Sequence, residues 1–365
     1  MKKPKPDLAQ VKAALTRPAM KAQPVPTKDL LSTGSTLLNL ACSNRPQGGI
    51  GKGQFFFIVG DSSSGKTFLG MTCLAEAAKN KNFADYRLIY DNVENGALMP
   101  IEKFFGHAVA ERLEPPCWHN DMPPGPRYSK YIDDFYHNIN AAFNEHKPFI
   151  YILDSMDALI LKADEDKFDA AENKPGAGTY GMGKAKMNSE RLRSVVSRLR
   201  TTGSILIILS QTRESVDAFS FDKKTRAGGK ALRFYAHIEI WSSTIEKIKK
   251  TVKGKPRVIG IMSKVQVKKN RISGHEVAVE MPIYRSFGID DIGSCVDYLV
   301  DEGHWRKIKG GTTIEAPEME VHLGREGLIR HIEENGLERQ LRMLVATVWQ
   351  EIEDQCALKR KPRYV

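Results

Sequence analysis

Short unbroken apolar runs alternate along the chain with stretches whose apolar positions recur every three to four residues. Gln54–Val59 (QFFFIV) is apolar almost throughout and reads as a strand buried on both faces. Phe68–Asn80, rich in Ala and Leu, has helical spacing. Tyr86–Tyr90 (YRLIY), Phe149–Leu153 (FIYIL), Ser204–Leu209 (SILIIL) and Ala236–Trp241 (AHIEIW) supply further strands. Apolar strands alternating with amphipathic helices predict an α/β fold with a mostly parallel central sheet covered on both faces. Residues 255–285 differ. Val258–Val267 and Val277–Ile283 cluster β-branched residues between basic turns and read as antiparallel strands at one edge of the sheet. Beyond Asp290 the pattern turns helical over Asp291–Glu302, Arg325–Glu334 and Leu337–Ala357. The expected division is a basic, Pro-containing arm at 1–30, a core at 31–288 and a small helical C-terminal subdomain at 289–365, which ends in the basic tail Lys359–Arg363. The arm reads either as a flexible tail or as a segment that packs on a neighbouring subunit or touches phosphates.

Charge adds a direction. Lys and Arg number 55 against 44 Asp and Glu, a formal net charge of +11. Such a balance favours polyanions such as nucleic acid, although charge alone selects no ligand. No apolar run approaches the roughly 18 residues of a membrane span. No apolar stretch follows the basic start MKKPKPDLAQ, so no secretory leader is expected. Cys42, Cys73, Cys117, Cys295 and Cys356 are scattered, with no C-x-x-C pair. That argues against a zinc site and fits a reducing, cytoplasmic compartment.

The chemistry enters at residues 60–67. GDSSSGKT is a full G-x-x-x-x-G-K-[ST] match that follows an expected strand and opens an expected helix. Gly60 and Gly65 let the backbone curl around a phosphate, and Asp61, Ser62, Ser63 and Ser64 present the intervening amides. The helix start at Lys66, Thr67 and Phe68 adds its positive dipole end. Lys66 would reach the β- and γ-phosphate oxygens, and the Thr67 hydroxyl would ligate Mg²⁺ beside ATP. Asp154 ends the FIYIL strand and is the expected second group on the metal side; the plainer alternative is a strand-end Asp that caps the next helix. Asp91 and Glu94 follow the YRLIY strand, where ligands of such sheets bind. Glu94 is the candidate to polarise an attacking water, with a solvated loop residue as the alternative, and Asp91 reads as loop support.

With these residues in place the chain resembles the RecA family of recombinases. LSTGSTLLN (31–39) resembles that family's ISTG segment, and D-N-V-E (91–94) its D-x-E motif with one residue inserted. Residues 163–183, running into AKMNSERLRSVV, resemble the family's first DNA loop and the helix after it. The resemblance implies phosphate contacts by Lys186 and Arg193. Residues 204–236 resemble the second DNA loop, at about 212–229, with Gln-x-Arg, Gly-Gly and ALRFYA in register. By that resemblance Gln211 senses the γ-phosphate and relays nucleotide state, Arg213 contacts phosphate, and Val216 wedges between bases. Phe219 and Phe221 are candidates to stack on bases. Arg226, Gly228 and Gly229 complete the DNA-facing set. VQVKKNRIS (265–273) resembles the family's K-N-K segment, so Lys269 and Arg271 would reach a neighbour's γ-phosphate in trans.

The implied protein has a RecA-like phosphate-loop ATPase core and assembles as a homo-oligomer, a helical filament, on single-stranded DNA. It would use ATP and Mg²⁺ to pair that strand with homologous double-stranded DNA, assisted by a single-strand-binding or mediator protein. A hexameric helicase-type motor and a RecA-like mediator are the rival readings. The chain departs from the family pattern in three places. It lacks a convincing copy of the polymerisation helix, it has Glu102 where an adenine-stacking Tyr is usual, and it ends KRKPRYV instead of in an acidic tail. Those departures suit a phage-encoded or otherwise distant relative acting in a bacterial host's cytoplasm. The C-terminal helices would either capture duplex, with Trp305, Arg306 and Lys307 at their entry, or cap the core.

Overall fold

The structure is a computed structural model that describes residues 24–95, 99–116, 127–163, 165, 182–214, 224–226, 230–308 and 311–361. In chain order its strands are β1 (Leu30–Leu31), β2 (Ile50–Gly51), β3 (Phe55–Gly60), β4 (Arg87–Asn92), β5 (Leu113–Glu114), β6 (Phe149–Asp154), β7 (Ile205–Glu214), β8 (Lys224–Arg226), β9 (Ile238–Val252), β10 (Lys255–Asn270), β11 (Ala278–Tyr284), β12 (Gly288–Ile289), β13 (Arg306–Lys307), β14 (Thr313–Ala316) and β15 (Val321–Gly324). The helices are α1 (Thr36–Ser43), α2 (Lys66–Lys79), α3 (Ile101–Phe105), α4 (His107–Arg112), α5 (Ile132–Asn144), α6 (Met182–Thr202), α7 (Lys230–Tyr235), α8 (Asp291–Asp301), α9 (Arg325–Glu334) and α10 (Glu338–Cys356).

One large sheet runs β12-β11-β10-β9-β3-β7-β6-β4-β5, with β8 paired to the end of β7. From β9 through β3, β7, β6 and β4 to β5 the pairing is parallel. From β9 to β12 it is antiparallel. The fold is the expected α/β class. Alternate side chains of the fully apolar central strands feed cores on opposite faces. Phe56, Ile58, Ile150, Ile152, Ile205 and Ile207 join one cluster, while Phe55, Phe57, Tyr151, Leu153, Leu206 and Ile208 join the other. This explains why these strands lack polar alternation.

Three strands outrun their apolar signal, in two extensions. β9 and β10 continue as a hairpin beyond Ser243, where Thr244–Lys247, Lys249–Val252 and Lys255–Arg257 are exposed and backbone pairing carries the strands to the tip. β7 extends to Glu214 and pairs antiparallel with β8, Thr212 opposite Arg226. The second loop therefore contains strand at both of its ends. Hydrophobic patterning sees neither extension, because a ladder without a buried face leaves no periodic trace.

The C-terminal region is not purely helical, since β13, β14 and β15 form a three-stranded sheet within it. Leu328, Ile332, Leu341 and Val345 belong to the same apolar cluster as the core strands. Trp305 is 1% exposed and donates to Glu318 Oε2 at 2.8 Å, so it is a core residue and not a DNA contact. The Asp291 carboxylate accepts from Thr36 N at 2.6 Å and Thr36 Oγ1 at 2.9 Å, and lies 3.2 Å from Arg342 Nε. It pins α8 and α10 to the start of α1. That start follows from the LSTGSTLLN segment: Gly34 takes a positive φ of 79°, and the Ser35 hydroxyl caps α1 by accepting from Leu38 N.

Candidate nucleotide site

The site lies at the carboxyl ends of β3, β4, β6 and β7. β3 ends at Gly60 and α2 begins at Lys66. Between them Ser63 and Gly65 take positive φ, 60° and 93°. No side chain caps α2, which leaves its amino end to a bound anion. Close packing dictates the glycines. A Cβ on Gly60 would lie 2.1 Å from Ser242 Oγ and 2.6 Å from Ser242 O, and one on Gly65 would lie 2.3 Å from Ile283 Cδ1. Ser64 is buried; its hydroxyl sits 2.7 Å from that of Ser242, and its carbonyl accepts from Ser263 Oγ at 2.9 Å. Asp61 accepts from Thr212 Oγ1 at 2.5 Å. Ser62 and Ser63 are exposed. The Phe68 ring packs against Phe104 and Phe105, so only its backbone faces the loop.

Lys66 Nζ donates to the Gly60 and Asp61 carbonyls at 2.9 and 2.7 Å. Burial lowers its pKa, and the negative charges of Asp154, Glu94, Asp157 and Asp61 oppose that shift. Asp154 is 4% exposed, and its Oδ2 accepts from Thr67 Oγ1 at 2.7 Å and from Tyr90 OH at 2.8 Å. Burial raises its pKa against those two hydrogen bonds, and the Glu94 charge raises it further. The Lys66 charge lowers it, and a further cation beside the carboxylate would offset its burial in the same direction. Among the described residues no cluster of three or more His, Cys, Asp or Glu side chains forms a metal cage. Thr67 and Asp154 fit a Mg²⁺ that keeps waters and takes its remaining ligands from phosphates.

Glu94 is held over this group. Its amide donates to Asp154 O at 3.1 Å, and its Oε1 accepts from the Ser155 hydroxyl and from Gln211 Nε2 at 3.2 Å. Gln211 N in turn donates to Asp157 Oδ2 at 2.7 Å. The inserted residue of D-N-V-E is absorbed in a turn in which Asn95 takes a positive φ of 49°. Asp91 is fully buried and accepts from Ser129 N, Ser129 Oγ and Tyr151 OH, the supporting place expected of it. The structure thus brings Lys66, Thr67, Asp154, Glu94 and Gln211 together.

Lys269 and Arg271 are not in that group. Lys269 Nζ donates to the Arg233 and Phe234 carbonyls and Arg271 Nη2 to the Phe234 carbonyl at 2.9 Å, at the carboxyl end of α7. Lys186 and Arg193 are exposed on α6, and Lys186 sits 4.0 Å from Glu190. Arg213 and Arg226 lie on β7 and β8, close together across that ladder. Val216, Phe219, Phe221, Gly228 and Gly229 fall outside the described residues, as does most of 163–183. Glu102 is exposed and paired with His107. Sequence reasoning missed Tyr90 and Asp157. Asp157 was visible as the second carboxylate of LDSMD, whereas Tyr90 looked like one more apolar strand residue.

Residues 146–290 match the family profile of the RecA N-terminal domain. The chain is similar to Protein RecA of Cytophaga hutchinsonii, 29% identical over 274 residues, which span 75% of this chain and 69% of the relative. It is 26% identical to Protein RecA of Clostridioides difficile over 84% of this chain and 79% of the relative. To that of Synechococcus elongatus it is 26% identical over 90% and 82%. Among solved structures, the RadB recombinase superposes with a TM-score of 0.47 at 15% identity, covering 72% of this chain and 99% of that one.

Proposed function

We propose that the chain is a RecA-type, ATP-binding and DNA-binding recombination protein, a DNA-dependent ATPase that assembles on single-stranded DNA and exchanges that strand with a homologous duplex, a reading supported by the match of residues 146–290 to the RecA N-terminal domain. ATP binds at the phosphate loop, with Lys66 on its outer phosphates and the amides of 61–67 around them. Thr67 and Asp154 would hold Mg²⁺, which would supply positive charge beside the phosphates. Glu94 orients the attacking water. Lys269 and Arg271 leave the end of α7 and reach the neighbouring subunit's nucleotide, stabilising charge on the transferred phosphoryl group. Gln211 changes partner from Glu94 to the γ-phosphate region and moves β7, which leads straight into the second loop. That loop, the first loop, Lys186 and Arg193 hold the single strand by its backbone. Filament assembly, help from a single-strand-binding or mediator protein, and a cytoplasmic location follow from the same reading.

The observation that carries the proposal is the Gln211–Glu94 hydrogen bond of 3.2 Å. It joins the group assigned to hydrolysis to the strand that feeds a DNA-facing segment. The test is negative-stain microscopy with single-stranded DNA, Mg²⁺ and a non-hydrolysable ATP analogue, beside Lys66→Ala. Extended filaments that need nucleotide are expected. Closed rings would favour a motor, and isolated particles a mediator.

A further inference from the structure

The hairpin of β9 and β10 stands off the body of the sheet. Ile238–Ile240 is buried, whereas Thr244–Lys247, Lys249–Val252 and Lys255–Arg257 are exposed. Strand pairing nevertheless continues to the tip, with Lys255 opposite Val252. The projection is therefore a two-stranded ribbon, with register shifts between Val258 and Gly260 and between Met262 and Ser263. It carries Lys247, Lys249, Lys250, Lys253, Lys255 and Arg257 against a single carboxylate, Glu246. None of these six cations forms an ion pair with a described residue.

Their placement works against folding. Lys250 lies directly opposite Arg257, and like charges facing across a ladder destabilise a hairpin. Lys253 takes a positive φ of 51° before Gly254 at 72°, where a two-residue turn favours Asn or Gly. The charge is also two-sided. Strand alternation and the observed register put Lys250, Lys255 and Arg257 on one face and Lys247 and Lys249 on the other, with Lys253 at the tip.

We propose that this ribbon is a duplex-DNA binding element that enters a groove and neutralises phosphates on both walls. The duplex major groove admits a two-stranded β-ribbon, and its two phosphate backbones match cations on both faces and the tip. A single extended acidic peptide would present charge to one face only. The inference deepens the recombinase reading and rests on it, since it assigns a place for the duplex partner.

The test replaces Lys249, Lys250, Lys253 and Arg257 together by Gln and measures anisotropy of a fluorescent duplex from about 50 to 200 mM salt. Each phosphate contact contributes about 0.9 to the slope of log affinity against log salt. With four contacts removed the variant's slope should fall by about 3.6, and its affinity at the low-salt end by at least about tenfold. Single-strand-stimulated ATP hydrolysis should change less than twofold. The set Lys249→Arg, Lys250→Arg and Lys253→Arg should retain duplex binding, which separates charge from folding damage. An unchanged duplex affinity and slope overturns the proposal. So does an equal loss on single strands and duplex, or a loss confined to binding of a poly-glutamate probe. A wild-type protein with no single-strand-stimulated hydrolysis would instead sink the recombinase reading and this inference with it.

Discussion

Tyr90→Phe isolates one hydrogen bond at the metal-side carboxylate. Asp154 Oδ2 accepts from two hydroxyls, Thr67 at 2.7 Å and Tyr90 at 2.8 Å, in a group almost closed to water. Phenylalanine keeps the ring volume, so no cavity opens. What is lost is a hydrogen bond to a charged acceptor, about 1.5–3 kcal/mol. Urea unfolding of the ligand-free variant at neutral pH should show a stability deficit of about 2 kcal/mol. The pH dependence has a definite sign. Burial raises the folded-state pKa of Asp154 above its unfolded value, and Tyr90 opposes that rise. The deficit is therefore full above the folded-state pKa and fades as pH falls through it, because a protonated Asp154 no longer depends on the lost donor. Saturating Mg²⁺ with a non-hydrolysable ATP analogue should narrow the deficit, since the cation supplies positive charge at the same oxygens. A deficit under about 0.5 kcal/mol, or one that persists unchanged into acid, would refute the idea that Tyr90 acts through this carboxylate.

Other expectations follow from single contacts. His237 Nδ1 accepts from Phe55 N at 3.1 Å, and burial, with the Arg271 and Lys269 charges nearby, pushes its pKa down to about 4. Its unfolded value is near 6.5, so it contributes up to about 3 kcal/mol above pH 6.5, lost as pH falls toward 4. His237→Asn, whose amide oxygen accepts the same bond, should flatten that stretch of the pH–stability curve. Gly60→Ala places a Cβ 2.6 Å from the Ser242 carbonyl. It should weaken binding of a fluorescent ATP analogue at least about tenfold, about 1.4 kcal/mol, by displacing the loop. Asp291→Ala strands the Thr36 amide and hydroxyl together with Arg342. It should lower the unfolding free energy by about 2–3 kcal/mol in a urea titration.

The central strands and α2 were legible because burial on both faces leaves continuous apolar runs such as FFFIV and FIYIL. The phosphate loop was legible because its glycines answer local sterics, clashes with Ser242 and Ile283 among them. Asp154 and Glu94 were placed by strand ends and Gln211 by resemblance, and the chain converges all three on one point. Features built from backbone pairing or from single side-chain contacts left no such trace. The part of the ribbon from Thr244 to Arg257 reads only as a lysine-rich stretch. Tyr90 shows nothing of its hydroxyl's partner, and Trp305 looked exposed beside Arg306 and Lys307 although the Glu318 contact buries it.

The central claim is exchange of a single strand with a homologous duplex under ATP control. A strand-exchange assay with a labelled displaced strand tests it most directly. Displacement is expected only when the duplex is homologous, only with Mg²⁺ and nucleotide, and not with Lys66→Ala. Hydrolysis stimulated by single strands without displacement, or displacement that ignores homology, would contradict it.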